Sequence, residues 1–210
     1  KLKNNKWKEG KKKMRYILTI LLITGALLAD IYNEEPVADT WVWEGSGPWG
    51  SSTQLRTNIA SSFDQEIVIS FDLSSIPSGS TINSAVLNIY NYDGTYPTTL
   101  ECDIYRVTEN WIEATLVDSI AHDTTTSYDH VILNGIDWYE FDIAILVQDW
   151  IDGTCDNFGI VFYGTSGSGT PQYFRSKEAG SNHPYLEVDY TTAGALESTT
   201  FGAIKALFAL

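Results

Sequence analysis

The chain has 210 residues, 43% of them hydrophobic, and a formal net charge of −14. Residues 1–29 hold eight of the 13 basic residues and one of the 27 acidic residues, so 26 acids face five bases from Asp30 onward, a formal charge of −21. This balance excludes nucleic acid as an expected partner, because binding to nucleic acid depends on neutralising phosphates.

The first segment has the features of a secretory signal peptide. Met14 is the expected start; Arg15 and an apolar run over residues 16–29 follow it, with small residues at Ala26 and Ala29. A membrane anchor is the alternative, but the run is shorter than the roughly 20 residues that span a bilayer. We therefore leave residues 1–29 out of the fold and expect a secreted or cell-surface protein whose mature chain begins after Ala29.

Short apolar runs alternate with segments rich in Gly, Ser, Thr, Asn and Asp through the rest of the chain. The runs predict ten strands: 40–44, 54–58, 66–72, 82–91, 101–107, 130–133, 138–142, 158–163, 172–174 and 185–190. Many short strands with turn residues between them are typical of an all-β antiparallel sandwich. We place this single domain at residues 38–190.

One stretch has the spacing of a helix instead. Its apolar residues recur three and four positions apart, at Ile143, Leu146, Val147 and Trp150. Asp142 can cap the start and Gly153 can end the segment, which predicts a short helix over 142–151 with Trp150 in the core. Residues 191–210 change to a small, polar linker followed by an apolar tail, whose role the sequence does not indicate.

Several short motifs keep an order and spacing that together resemble one family. They are Ala38-Asp39-Thr40-Trp41-Val42, Gly50-Ser51-Ser52 with Leu55-Arg56, Phe71-Asp72-Leu73-Ser74-Ser75-Ile76-Pro77-Ser78-Gly79, Ala85-Val86-Leu87, Asn110-Trp111-Ile112-Glu113, Phe141-Asp142 with Val147 and Trp150, Asn157-Phe158-Gly159-Ile160, Phe174-Arg175-Ser176-Lys177-Glu178 and Pro184-Tyr185-Leu186-Glu187-Val188. Over residues 38–190 the chain resembles the DNRLRE domain, also classed as carbohydrate-binding module family 96. The resemblance implies a jelly-roll-like sandwich that binds polysaccharide, including alginate-like polymers.

Two positions depart from that family's pattern. Gln65 and Glu66 stand where the family often carries an arginine before the Phe-Asp-Leu strand. The tryptophan that commonly follows the Trp-x-Glu element has no counterpart in residues 116–121. Any ligand contact that relatives make through these two positions is in doubt for this chain.

Catalytic patterns do not emerge from the sequence. The histidines His122, His130 and His183 lack the spacing of a zinc protease, and there is no Gly-x-Ser-x-Gly turn. The Gly-x-Gly-x-x-Gly match at residues 45–50 precedes a strand rather than a helix, so it does not predict a dinucleotide site. A pair of catalytic carboxylates cannot be chosen among 26 acids, and we expect no enzyme activity.

Aromatic residues are the first candidates for binding, because sugars offer apolar faces flanked by hydroxyl groups. Trp41 and Trp43 share one face of a strand and are either core residues or a sugar platform. Trp49, between a proline and a glycine in a loop, is hard to bury and is the better ligand candidate. Trp111 and Trp138 lie at strand edges, and we predict both to be core residues.

Basic residues are the second candidates. Arg175 and Lys177 stand two apart near a strand end, where they can face a carboxylated sugar. The alternative is an internal salt bridge, for example to Glu178 or Glu187. The predicted carbohydrate-binding surface consists of Trp49, Arg56, Tyr173, Arg175 and Lys177.

Two further features concern stability. Asp39 and Asp189, near the ends of the domain, are candidate ligands of a structural calcium ion, although Ca²⁺ takes six to eight oxygens and the sequence identifies only these two residues. Cys102 and Cys155 either form one disulfide or remain separate, with Cys102 as an ordinary buried thiol.

The sequence thus predicts a secreted, non-catalytic module that recognises extracellular polysaccharide, uronic-acid polymers among them. A structural or adhesive module of a cell-surface layer or filament, held by cell-surface or self-assembly contacts, is the alternative, because a fold does not determine a function. An exposed aromatic strip beside basic residues would favour sugar binding. A long unpaired strand edge would favour assembly.

Overall fold

The computed structural model describes residues 30–59, 64–93, 99–167 and 170–192. The predicted signal peptide and the tail beyond residue 192 lie outside these ranges. The elements are β1 (Asp30–Glu34), β2 (Ala38–Trp43), β3 (Gln54–Thr57), β4 (Gln65–Ser70), β5 (Thr81–Asp93), β6 (Leu100–Arg106), β7 (Asp129–Leu133), β8 (Asp137–Asp142), α1 (Ala144–Asp152), β9 (Ile160–Gly167), β10 (Gln172–Arg175) and β11 (Tyr185–Thr191).

The strands form two antiparallel sheets. Five strands of the six-stranded sheet follow the order β1-β11-β5-β10-β3, and β8 also pairs with β5. The five-stranded sheet has the order β2-β4-β9-β6-β7. The predicted all-β sandwich with one short helix is therefore confirmed. The sequence reading missed β1, whose Asp-Ile-Tyr-Asn-Glu segment is largely exposed and lacks an apolar run.

The core lies between the sheets and is rich in aromatic rings. Phe162 on β9 contacts Phe141 on β8 and Phe174 on β10, with ring centroids 4.9 and 5.4 Å apart and edge-to-face geometry. Such pairs add about 0.5–1.5 kcal/mol each beyond the burial of their area. Because Phe162 belongs to one sheet and its partners to the other, these contacts hold the two sheets together.

The helix α1 begins two residues later than predicted and ends where Gly153 was expected to end it. The N-cap residue is Ile143 rather than the predicted Asp142, whose Oδ1 accepts a hydrogen bond from the Ala144 backbone N–H at 3.0 Å. Gly153 has a φ of 69°, the left-handed conformation that glycine adopts without strain. Trp150 is 8% exposed and packs in the core as predicted. No helix in the part of the chain that the structure describes is long and apolar enough to span a membrane.

The segment 108–128 folds over the outer face of the five-stranded sheet. It contributes Ile120 and Trp111 to a second apolar cluster with Val68 and Val161, whose neighbours along β4 and β9 face the main core. The Trp111 indole N–H donates to the Phe158 carbonyl at 2.8 Å. Trp111 is therefore held in a packed cluster, as predicted, but in this smaller one rather than the main core.

The two cysteines are free thiols in the structure. Cys102 is buried on β6 within the core, and Cys155 follows the helix in a partly exposed position. Of the two alternatives for this pair, the structure shows separate thiols, with Cys102 packed as an apolar side chain.

Candidate functional site

Strand alternation places a set of polar and aromatic side chains on the outer face of the six-stranded sheet. Leu55 on β3 and Phe174 on β10 are paired and fully buried between the sheets. Their neighbours Arg56 and Tyr173 are also paired and are only partly buried, because successive side chains on a strand point to opposite faces. Arg175 follows Tyr173 on the same face.

Aromatic rings hold both guanidinium groups. Arg56 Cζ lies 4.7 Å from the ring centroid of Trp41 and 5.0 Å from that of Tyr173. Arg175 Cζ lies 4.1 Å from the ring of Tyr92 on β5, and the Tyr92 and Tyr173 rings are 6.4 Å apart. Each contact of this kind contributes roughly 0.5–2 kcal/mol. These contacts hold both guanidinium groups against aromatic rings of the protein itself.

We call this surface the aromatic–arginine strip; its residues are Trp49, Arg56, Tyr92, Tyr173 and Arg175. Gln54 links two residues of the strip by hydrogen bonds. The Gln54 side chain lies 2.7 Å from the Tyr92 hydroxyl, and with its oxygen turned towards Arg56 it accepts from Arg56 Nε at 3.1 Å. Burial raises the pKa of Tyr92, and the charge of Arg175 lowers it. The Tyr92 hydroxyl therefore stays protonated near neutral pH.

Trp49 reaches the strip from the loop between β2 and β3. Its ring stacks on Trp41 with centroids 4.8 Å apart and an interplanar angle of 12°. Trp41 is 1% exposed and belongs to the core, whereas Trp49 is 37% exposed. Of the two alternatives for Trp41 and Trp43, the structure supports the core, since Trp43 packs against it as well. Trp49 presents one ring of this stacked pair to solvent.

Trp138 is not a core residue, contrary to the sequence reading. It is 37% exposed and pairs with Tyr90 across β5 and β8, with ring centroids 5.3 Å apart. Tyr185 on β11 contacts Trp138 edge-on at 5.6 Å. The alternation of side chains along β8 could have predicted this exposure. Phe141 is buried three residues later, and residues three apart on a strand point to opposite faces, so Trp138 points away from the core. Tyr90 stands two residues before Tyr92, so this second aromatic group continues the outer face.

Lys177 belongs to a different group of charges. Its Nζ lies 3.1 Å from Glu113 Oε1 and also contacts Glu178 Oε1. Its backbone N–H donates to Asp39 Oδ2 at 2.7 Å. The internal salt bridge to Glu178 that the sequence left as an alternative is therefore present. The structure brings Trp49, Arg56, Tyr173 and Arg175 together and directs the ammonium group of Lys177 elsewhere.

The three acids around Lys177 form a tight group, which we call the carboxylate cluster (Asp39, Glu113 and Glu178). One carboxylate oxygen from each lies within 4.8 Å of the others. Burial raises the pKa of Asp39 well above its ordinary range; the Lys177 N–H opposes this, and the charges of Glu178 and Glu113 add to it. Asp189, the other predicted calcium ligand, is not in the cluster, and its carboxylate accepts from Asn83 Nδ2 at 2.9 Å.

The comparison with known families decides what kind of domain carries this surface. The model of carbohydrate-binding module family 96 matches residues 31–190, which include both sheets and the strip. The chain belongs to this family. No curated protein matches the sequence. The family indicates a carbohydrate-binding module with a polysaccharide partner, and the resemblance noted in the sequence is thereby confirmed.

The structure also shows where Gln65 and Glu66 lie, the two residues that stand where family 96 often has an arginine. Gln65 and Glu66 are both nearly buried at the start of β4. The Gln65 backbone N–H donates to Asn58 Oδ1 at 3.1 Å, and Glu66 pairs with Tyr163 on β9. Neither side chain lies on the aromatic–arginine strip.

Proposed function

We propose that the protein is a secreted, non-catalytic module that binds polysaccharide, with a preference for uronic-acid polymers, through the aromatic–arginine strip. The observation that supports this most directly is the pair of guanidinium groups stacked on tyrosine and tryptophan rings. Arg56 and Arg175 lie over Tyr173 and Tyr92 at 5.0 and 4.1 Å. Aromatic faces suit the apolar faces of sugar rings, and arginine suits their carboxylate groups.

The electrostatic argument favours an acidic ligand over a neutral one. From Asp30 onward the chain carries a formal charge of −21, with five basic residues. Two of those five stand on one half-exposed strip. Arg56 already donates through Nε to Gln54, so Arg175 is the better placed of the two guanidinium groups to donate to a ligand carboxylate. The positive charges of Arg56 and Arg175 would then offset the repulsion between an acidic polysaccharide and the rest of the negatively charged molecule.

The same groups support binding without bond cleavage. Guanidinium groups stay protonated in proteins and cannot act as a general acid or base. Burial raises the pKa of Tyr92 further above neutral, so its hydroxyl keeps its proton and does not act as a general base there. The strip crosses the neighbouring strands β3, β10 and β5, an arrangement that suits a long polymer lying across the strands.

Assembly into a surface layer or filament finds less support. Among the described strands, the sheet edges are formed by β1, β3 and β8 in one sheet and by β2 and β7 in the other, and these strands have four to six residues each. Short strands of this kind are one way in which proteins avoid edge-to-edge association. The part of the chain that the structure describes has no long unpaired strand edge of the kind that would favour assembly.

The test is affinity electrophoresis of the protein against alginate and against a neutral glucan. Arg175→Gln is expected to lower the affinity for alginate at least tenfold, a loss of about 1.4 kcal/mol. Trp49→Ala is expected to lower the affinity for both polymers, because it removes a ring face rather than a charge.

Arg106→Gln is the matched control. It removes one positive charge at a site where Arg106 pairs with Asp123 at 3.4 Å, away from the strip. It should bind like the wild type. Equal losses in Arg175→Gln and Arg106→Gln would show that only total charge matters and would contradict the proposed surface. Failure of the wild type to bind either polymer would count against polysaccharide binding by this chain and favour the structural role.

A further inference from the structure

The carboxylate cluster joins three segments that are distant in sequence. Asp39 lies on β2, Glu113 lies in the segment over the five-stranded sheet, and Glu178 follows β10. Glu113 Oε1 accepts a hydrogen bond from the Asp39 backbone N–H at 2.9 Å. Gly50 packs directly on Glu113, and a Cβ added at Gly50 would overlap its side chain. The cluster therefore lies under the loop that carries Trp49.

Two oxygens of the cluster have no hydrogen-bond partner although they are buried. They are Asp39 Oδ1 and Glu178 Oε2. Asp39 as a whole is 1% exposed. A buried polar atom left without a partner costs about 1–3 kcal/mol, and more when the group is charged. These oxygens indicate a ligand that supplies positive charge.

The charge balance supports the same conclusion. The Lys177 ammonium group contacts the carboxylates of Glu113 and Glu178, and the third carboxylate, that of Asp39, accepts only from the Lys177 backbone N–H. A buried charge is tolerated when it is paired or when it coordinates a metal ion. One monovalent cation leaves the cluster short of positive charge, whereas one divalent ion in its place would reduce the deficit.

The spread of the oxygens bears on the size of the ion. One oxygen from each residue lies within 4.8 Å of the others. Opposite oxygens around Ca²⁺ are about 4.6–5.2 Å apart, since each bond is about 2.3–2.6 Å, and around Mg²⁺ they are about 4.0–4.2 Å apart. The separation of at most 4.8 Å between these oxygens fits within the span of the oxygens around Ca²⁺, and each carboxylate can supply two oxygens.

We infer that Asp39, Glu113 and Glu178 bind a calcium-sized divalent cation, and that Lys177 is the internal cation that competes with it. When the ion binds, the Lys177 ammonium group moves out to solvent, which its flexible four-carbon stem and its 23% side-chain exposure permit. The bound ion ties β2 and the segment 108–128, on which Gly50 of the Trp49 loop packs, to the end of β10. This inference concerns ion binding and does not depend on the proposed function.

The experiment is isothermal titration of chelator-treated protein with CaCl₂, together with thermal unfolding. The wild type should bind one ion at this site, and its Tm should rise by about 5–10 °C at a hundredfold excess over Kd. Lys177→Met should bind at least tenfold more tightly because the competing cation is gone. Glu178→Gln, which keeps the shape of the side chain, should lose at least tenfold in affinity.

Glu44→Gln is the control for the general acidity of the protein, since Glu44 is exposed in the neighbouring segment. It should bind Ca²⁺ like the wild type. Absence of Ca²⁺ binding in the wild type, or binding confined to Lys177→Met, would overturn the inference, because the lysine then closes the cluster. Unchanged affinity in Glu178→Gln would place the ion elsewhere.

If Glu178→Gln does not fold, the Ca²⁺ affinity of Lys177→Met is the test instead. An affinity no higher than that of the wild type would contradict the inference that Lys177 competes with the ion. Mg²⁺ binding as tight as Ca²⁺ would overturn the assignment of ion size.

Discussion

The outer face of the five-stranded sheet is covered by the chain's own residues 108–128, whereas the outer face of the six-stranded sheet leaves aromatic and arginine side chains half exposed. On the covered face, Trp111 and Ile120 pack against Val68 and Val161. On the open face, rings and guanidinium groups contact one another, and among the described residues their side chains stay partly exposed. The same kind of side chain, a tryptophan near a strand, therefore stabilises the fold on one face and is available to a ligand on the other.

Because one outer face is covered and the other is open, mutations on the two faces should affect different properties of the protein. Substitutions on the covered face should change the free energy of unfolding and leave polysaccharide binding intact. Substitutions on the open face should do the reverse. The following predictions test that division.

The largest expected effect is on stability. Trp111→Ala removes a packed ring and the hydrogen bond to the Phe158 carbonyl. It should lower the free energy of unfolding by about 3 kcal/mol, as measured by urea denaturation. The affinity of the remaining folded protein for polysaccharide should not change. A loss of affinity at full folding would mean that the covered face takes part in binding.

On the open face, Tyr173→Ala should lower polysaccharide affinity by about 2 kcal/mol, the size of a binding hot spot. Tyr173 lies between the guanidinium of Arg56 and the ring of Tyr92, so its removal releases one arginine and one ring contact. Urea denaturation should show a much smaller change, because the side chain is only partly buried. Ile132→Ala, at an exposed position on β7, is the control and should alter neither quantity.

A pH-dependent difference is expected at Glu66 on the covered face. Burial raises its pKa, nearby Asp64 adds to this, and His122, Ser119 and the Ile120 N–H lower it. Between the unfolded and the raised folded pKa, the folded state binds more protons than the unfolded state, so stability falls as pH rises through this window.

Glu66→Gln cannot ionise and should remove this slope, which makes it more stable than the wild type above the raised pKa. Thermal unfolding measured from pH 4 to pH 8 checks the sign. The same scan on His122→Gln separates the histidine's contribution. A slope that survives in Glu66→Gln would assign it to another group.

The smallest expected effect is on the salt dependence of binding. Affinity of the wild type for alginate should fall a few-fold between low and physiological salt, because exposed charge pairs are screened over about 8–10 Å. In the double variant Arg56→Gln/Arg175→Gln only the repulsion from the acidic surface remains, so added salt should strengthen the residual binding. The same sign in both proteins would contradict an arginine-based surface.

Much of the fold followed from local patterns. Period-two runs predicted strands at ten positions, and the structure has strands at or near all of them. The helical stripe ending at Gly153 predicted α1 to within two residues. Four of the five predicted binding residues lie together on the aromatic–arginine strip, and Lys177 lies in the carboxylate cluster instead. The binding roles of all five remain predictions.

Other features depend on contacts between segments far apart in the chain. The Asp39 N–H meets Glu113 across 74 positions, and the Lys177 N–H meets Asp39 across 138. No local pattern encodes such a meeting, which is why Asp189 was paired with Asp39 from sequence and Glu113 and Glu178 were not.

The sequence by itself determined which residues alternate in and out along each strand, because side-chain direction follows from a two-residue period. It also determined where the helix ends, because Gly153 tolerates the left-handed conformation that closes it. Only the tertiary structure decided which outer face is covered. Residues 108–128 could have folded over either sheet, and a tryptophan such as Trp138 becomes exposed or buried according to whether another segment packs above it.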